Sequence, residues 1–318
     1  MKRQVIFSEK TDSHASLVAK RIRDRGGNCT ILDTADYPEG WSISIEITKH
    51  LANRYLIKTA DVEIDGEHVT GVWWRRPNQP VPAAGILNPR HSRFAANEAR
   101  SLLLGFLTSL GNKVINPIAS EESLKHKVYQ LDRAAAAGFN IPRTLISNDP
   151  DQVRQFYMSN KAGGTIFKIL TNIENEFLPT RVMTDEHLSI IDFVKHSPVI
   201  FQERVEKIAD IRVAVIDSEI HAVSCQPNHE EAKIDWRLDP STRYVPHALP
   251  IHMKEMIDRF MKATNLRFGA FDFCLTEPDV YTFLEINVSG QFIFAEVHAG
   301  QPVSDAMARS LMGVGHRD

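Results

Sequence analysis

Phe268-Gly-Ala-Phe-Asp272-Phe-Cys-Leu275 and, after a short polar interval, Tyr281-Thr-Phe-Leu-Glu285-Ile-Asn287 read as two apolar strands carrying three oxygen-bearing side chains. Side chains two apart in a strand share a face, so Glu285 and Asn287 project together. A turn over Thr276 to Asp279 pairs Leu275 with Val280, which sets Asp272 opposite Phe283 and diagonal to Glu285. Diagonal neighbours lie about 7–8 Å apart, within reach of one ion between their side chains. Two carboxylates and an amide on otherwise apolar strands repel unless a cation neutralises them. Hard oxygen ligands without His or Cys suit magnesium, which binds through a few carboxylates plus substrate phosphates. The alternative is a half-exposed sheet whose wet face carries Asp272 and Glu285.

Upstream, the chain alternates strands and helices. Gln4 to Ser8 is an apolar strand. Asp12 or Ser13 can cap a helix that Gly26-Gly27 stops, and Cys29 to Leu32 starts a second strand. Ser42 to Ile47 and Tyr55 to Ile64 alternate as strands, with Asp65-Gly66 as a hairpin turn into Gly71 to Arg76. A helix is expected from about Arg93 to Leu110, and a second from Ser120 to Ala137 with Leu124, Val128, Leu131 and Ala135 on its apolar face. Asn116-Pro117 marks a boundary. Strands over Thr165 to Leu170 and Val199 to Val205 flank a segment from Asp185 to Lys195. Ile211 to Ile216 and Glu219 to Ser224 form a hairpin, and a helix near Ile251 to Thr264 precedes the final one. The resulting class is α/β (α+β), in three domains at 1–117, 118–198 and 199–318.

Composition excludes several functions. The 318 residues carry 37 Lys and Arg against 40 Asp and Glu, a net charge of −3, so no basic field announces nucleic acid or an anionic membrane. No apolar stretch approaches a bilayer span. Cys29, Cys225 and Cys274 are odd in number and widely spaced, which fits a reduced compartment and makes a cytoplasmic protein the expectation. No Gly precedes Lys, so there is no Walker A loop, and the GxGxxG, HExxH and GxSxG motifs are also missing.

Other charged residues are ambiguous singly. Lys168 lies within Thr165-Ile-Phe-Lys-Ile-Leu170, on a sheet surface or against a phosphate. Lys127 borders a helix face, where snorkelling is ordinary. Arg212 shares a strand face with Asp210, as a local ion pair or as a ligand, and Arg237 sits in a polar loop. Together they form an ordered series: Lys, Lys, an acidic/Arg strand, Arg, Asp, then Glu-x-Asn.

That series resembles the ATP-grasp superfamily, in the branch of the ribosomal-protein glutamate ligase and, more closely, the microviridin-type (graspetide) peptide maturases. The specific stretches are Val72-Trp-Trp-Arg-Arg-Pro77, Asn116-Pro117, Lys127 through Gln130-Leu131 to Thr144, Phe201-Gln-Glu-Arg-Val205, Asp210-Ile-Arg-Val213, Asp235-Trp-Arg237 and Leu284-Glu-Ile-Asn-Val-Ser-Gly-Gln-Phe292. The resemblance implies an ATP-grasp fold behind an N-terminal Rossmann-like pre-ATP-grasp domain. It implies that Lys127 and Lys168 contact the phosphates of ATP, that Gln202, Glu203, Arg204 and Val205 meet adenine, and that Asp210 reaches the ribose. Arg212 and Arg237 would act on the phosphates and the acyl-phosphate, and Asp272, Glu285 and Asn287 would hold Mg2+. The family's glycine-rich phosphate loop has no counterpart in Leu170 to Thr184, and Glu296 and Gly300 are family-like without an assignable role.

The reaction implied is phosphoryl transfer from ATP to a carboxylate, followed by attack of an amine or hydroxyl on the acyl-phosphate. In the closer branch both groups lie in one ribosomal precursor peptide, leader plus core, and the product is a side-chain ester or amide macrocycle. Homodimers are common in that family. A leader anchor is expected in the polar stretch from Gln226 to Tyr244. The alternatives are a ligase adding free amino acids to a peptide or small acid, and a non-catalytic peptide-binding module.

Overall fold

The computed structural model describes residues 2–49, 54–171, 178–229, 236 and 239–313. The chain opens with β1 (Arg3–Phe7), α1 (Ser13–Asp24) and β2 (Cys29–Leu32). Asp12 caps α1 by accepting from the Ala15 N–H at 2.9 Å. After β3 (Trp41–Glu46), β4 (Arg54–Thr59) and β5 (Glu63–Asp65) come β6 (Val69–Trp74), α2 (Pro89–Ser109) and β7 (Val114–Ile115). A parallel sheet runs β2-β1-β6-β7, and β3-β4-β5 form a separate antiparallel sheet.

Asp65-Gly66 is therefore no hairpin turn. The Asp65 carboxylate accepts from the Glu67 N–H at 3.0 Å, starting a 3-10 turn that carries the chain from one sheet to the other. Trp73 and Trp74 are buried in the parallel sheet. Helix α2 starts earlier than expected because Asn88 caps it and Pro89 occupies its first turn.

The expected second helix is two helices, α3 (Ile118–Leu124) and α4 (Lys127–Ala137), interrupted at Lys125-His126. The break rotates the buried face of α4 onto Gln130, Ala134 and Ala137, so Val128, expected in the core, is 59% exposed. Gly138 ends α4 with φ 96°. Then follow β8 (Thr144–Ser147), α5 (Pro150–Ser159), β9 (Thr165–Lys168), β10 (Arg181–Val182), α6 (Asp185–Ser189) and β11 (Val199–Glu203). Their sheet is antiparallel in the order β10-β9-β11-β8, backed by Val153, Phe156 and Tyr157 of α5.

The last sheet contains β12 (Ala209–Ile216), β13 (Glu219–Gln226), β14 (Arg243–Pro246), then after α7 (Ile251–Thr264) the hairpin β15 (Phe268–Glu277) and β16 (Val280–Asn287). Its order is β14-β13-β12-β15-β16. Period two divides the two faces. Ile211, Val213, Phe271, Phe273 and Phe283 pack with Phe260 of α7 and Ala134 of α4 into one core. At one end of the opposite face, Ala214, Ile216 and Phe268 pack with Ile6, Trp73 and the final helices α8 (Ile293–Ala299) and α9 (Val303–Met312). The rest of that face carries Asp210, Arg212, Asp272 and Glu285. Fully burying each core Phe contributes roughly 1.5–3 kcal/mol, which fixes the face these polar residues present. At Gly71 a Cβ would lie 2.2 Å from the Leu311 carbonyl oxygen, so only glycine lets α9 lie this close to β6.

Candidate nucleotide and phosphoryl-transfer site

The final hairpin departs from its expected register twice. Its turn is tighter, pairing Glu277 with Val280 through Asp279 at φ 62°, and an extra residue, Leu284, bulges out of β16 between the Phe273–Phe283 and Asp272–Glu285 pairs. The turn, taken with an irregularity at Thr276 that leaves Leu275 opposite Tyr281, and the bulge each move the register by one residue. Together they set Asp272 directly opposite Glu285 rather than diagonal to it, and the bulge turns Phe283, expected on the Asp272 face, into the core opposite Phe273.

The two carboxylates do not rely on a metal for neutralisation. Arg212, opposite Asp272 across β12 and β15, forms an ion pair with it, and Lys127 Nζ donates to Glu285 Oε2 at 2.5 Å. Arg212 is therefore bound to Asp272, and Asp210 takes Lys207 at 2.6 Å, so a local Asp210–Arg212 pair is not the arrangement. Asn287 Nδ2 donates to the other Glu285 oxygen at 3.1 Å. Burial pushes the Glu285 carboxyl up, but Lys127, Lys168 and Asn287 outweigh it and hold the pKa down at about 2.

Lys127 sits at the start of α4 and reaches Glu285 because Gln130 ties that helix to β16. The buried Gln130 amide donates to the Leu124 and Ile286 carbonyls and accepts from the Ile286 N–H at 3.2 Å. Lys168, at the end of β9, makes no ion pair or hydrogen bond among the described residues. Burial draws its pKa down, while Glu285 pulls it up. Lys127, Lys168 and Arg212 thus outnumber Asp272 and Glu285 by one positive charge, which suits an anion.

Two cavities share Lys168, Thr180, Lys207 and Leu284. The smaller, about 110 Å³, is lined by Asp210, Arg212, Trp236, Asp272 and Glu285. The larger, about 510 Å³, is lined by Pro142, Ile166, Val182 and the segment Gln202 to Lys207. That segment is pinned at both edges: the Glu203 N–H donates to the Arg143 carbonyl and the Arg204 N–H to the Gly164 carbonyl, each at 3.0 Å. Gln202, 1% exposed, gives its amide N–H to Thr144 Oγ1, and its amide oxygen has no partner among the described residues. A flat polar ring entering this cleft would meet that acceptor, and phosphates continuing into the smaller cavity would meet the cations.

The structure thus brings together Lys127, Lys168, Gln202 to Val205, Asp210, Arg212, Asp272, Glu285 and Asn287. Arg237 lies outside the described residues, as do 172–177 where a phosphate loop was sought and 230–235 and 238 of the expected leader anchor. Lys207 and Trp236 joined the site only in three dimensions; Lys207 left a weak trace in its three-residue spacing from Asp210. Glu296 is explained by capping: it accepts from the Ser304 N–H at 2.9 Å and from Arg21 at 2.9 Å, binding α1 to the start of α9. Gly300 ends α8 with φ 65°.

The donor set fits magnesium by its chemistry. Among the described residues no three His, Cys, Asp or Glu cluster as a metal site. Two ionised carboxylates and an amide oxygen on one face, beside surplus cations, leave a divalent ion incomplete without phosphate oxygens, as Mg2+ with a nucleotide requires.

No curated protein matches the sequence significantly. Residues 5–122 match the family model of the MvdD pre-ATP grasp domain. The macrocyclase MdnC from Microcystis aeruginosa MRC, solved bound to precursor peptide MdnA, is similar over 98% of this chain and 100% of that one, with 25% identity and a TM-score of 0.85. The macrocyclase MdnB of the same organism has 27% identity over 98% and 99% of the two chains, with a TM-score of 0.78. A RiPP-associated ATP-grasp ligase from Chryseobacterium gregarium, solved with ADP and a leader and core peptide, shares the fold at TM-score 0.89, with 24% identity over 100% and 98%. The α/β class and the resemblance read from the motifs both stand: residues 5–122 match an MvdD pre-ATP grasp domain, and the whole chain is similar to solved peptide macrocyclases and shares the fold of an ATP-grasp ligase.

Proposed function

We propose that this ligase uses ATP to join side chains within a ribosomal precursor peptide, forming ester or amide macrocycles. The observation that carries the nucleotide part is Lys168, a half-buried lysine without an ion-pair partner among the described residues, at the junction of the larger cleft and the smaller, charge-lined pocket. The peptide part is supported by whole-chain likeness to macrocyclases at 25% and 27% identity.

In this reading the adenine occupies the larger cleft against Gln202 to Val205, the ribose lies toward Asp210, and the phosphates meet Lys127, Lys168 and Arg212. Asp272, Glu285 and Asn287 would hold Mg2+, which supplies charge neutralisation on the phosphates. Arg212 and Arg237 stabilise charge on the transferring group while the peptide carboxylate attacks and ADP leaves. An amine or hydroxyl of the same peptide then attacks the acyl carbon, its proton is lost, and phosphate departs. Lys127 changes partner in this cycle, from Glu285 alone to Glu285 and a phosphate.

We read the organisation as three domains, 1–117, 118–198 and 199–318, with β11 crossing the second boundary to pair with β9 and β8. Among the described residues no helix is long and apolar enough to cross a membrane, and a cytoplasmic setting is part of the proposal. The test is mass spectrometry of a leader–core peptide with Thr, Lys, Asp and Glu in its core, incubated with enzyme, ATP and Mg2+. The expected product has lost one water per linkage, and only when ATP is present. A product heavier by an amino-acid residue would overturn the cross-linking reading.

A further inference from the structure

Arg212 is held from two sides. One is the Asp272 carboxylate; the other is the ring of Trp236, whose centroid lies 5.8 Å from the guanidinium carbon. Trp236 is itself built into the protein. Its carbonyl accepts from the Asp239 N–H at 3.1 Å and from Thr242 Oγ1 at 2.9 Å. The buried Asp239 carboxylate in turn accepts from the Asn228 N–H at 2.7 Å and the Ser241 N–H at 2.8 Å. The indole meets Tyr244 edge-on at 5.7 Å and Phe294 of α8 at 5.7 Å, an aromatic backing that leaves its position little freedom. It also lines the small cavity with Lys168, Lys207, Asp210, Arg212, Asp272 and Glu285. In a pocket otherwise dominated by charges, it and Phe273 are the aromatic lining, and it is the ring that meets Arg212.

We infer that Trp236 is a positioning residue that holds Arg212 on the transferring phosphoryl group and excludes water from the acyl-phosphate. This rests on the ligase reading above. An acyl-phosphate has two fates here. The peptide's amine or hydroxyl attacks the acyl carbon, releasing phosphate and forming the linkage; or a water oxygen attacks the same carbon, releasing phosphate and restoring the carboxylate. Both consume one ATP, so the ratio of ADP released to water lost from the peptide measures the partition. An apolar ring against the guanidinium removes ordered water from one side of the pocket, which disfavours the second fate and strengthens the Arg212–phosphate attraction. It supplies a water-excluding wall where Leu170 to Thr184 has no glycine-rich loop.

The experiment compares wild type, Trp236→Phe and Trp236→Ala with MgATP and the same leader–core peptide, following ADP and peptide mass together. Losing the cation–π contact corresponds to roughly a two- to fivefold change in partition, so Trp236→Ala is expected to release that much more ADP per linkage. Trp236→Phe, which keeps an aromatic face, is expected to fall near wild type. A merely structural role would lower ADP release and linkage formation in proportion. A wild-type ratio in Trp236→Ala, or Trp236→Phe behaving as Trp236→Ala, overturns the inference. A wild type that forms no linkages at all instead overturns the ligase reading.

Discussion

At the scale of single residues, the site's carboxylates are held by the cations expected to meet ATP. Asp272 pairs with Arg212 and Glu285 with Lys127, so removing a carboxylate leaves a partly buried cation without its partner rather than relieving repulsion. Asp272→Asn and Glu285→Gln should therefore abolish ATP turnover and also cost about 1–3 kcal/mol of stability, measured by urea unfolding. Wild-type turnover in either folded variant would remove the magnesium assignment. Lys168→Met keeps the apolar stem on β9 and deletes the charge. It should weaken ATP binding by roughly 10- to 100-fold in a calorimetric titration, the worth of one charged hydrogen bond. Unchanged affinity would return Lys168 to a structural role. The carboxylates and Lys168 were legible because oxygen and nitrogen groups stand out in apolar strands. Their partners were not, because Arg212–Asp272 and Lys207–Asp210 follow from cross-strand and turn geometry rather than from neighbours in sequence.

At the scale of elements, periodicity fixed which faces are buried but not how strands slide. The shared face of Glu285 and Asn287 followed from period two, whereas Phe283 was set beside Asp272 and lies in the core because Leu284, an ordinary apolar residue with nothing to mark it, bulges between them. The break between α3 and α4 was equally silent, since Leu124 and Ala135 continue a helical pattern across it. Asp65-Gly66 misled because a side-chain cap can start a 3-10 turn as readily as a hairpin. Gln130 joins α4 to β16 through two hydrogen bonds and to Leu124 of α3 through a third, and so sets where Lys127 meets Glu285. Gln130→Leu strands the Ile286 amide and carbonyl groups. It should cost about 1–3 kcal/mol and raise KM for ATP, measured by thermal unfolding and steady-state kinetics. Wild-type stability in this variant would show that the link is dispensable.

At the scale of the whole molecule, the N-terminal parallel sheet and the final hairpin are joined through buried polar groups. Arg75, fully buried and drawn down to about 10 by burial, pairs with Asp12 and donates to the Ser289 and Gly290 carbonyls just beyond Asn287. Nearby, burial raises Glu121 to about 8. Its folded pKa lies above the unfolded value, so stability is fully present below about pH 4.5 and is lost as pH rises toward 8. Glu121→Gln should remove this loss, raising the melting temperature more at pH 8 than at pH 5; an equal change at both would contradict the assignment. The central claim is that one continuous nucleotide site spans two sheets, from β9 and the end of β11 to β12 and the final hairpin. Amide hydrogen exchange with and without MgADP tests it most directly. The account predicts slowed exchange in 165–168, 202–210 and 268–287, with the β3-β4-β5 sheet unchanged; protection confined to that small sheet, or absent from the hairpin, would contradict it.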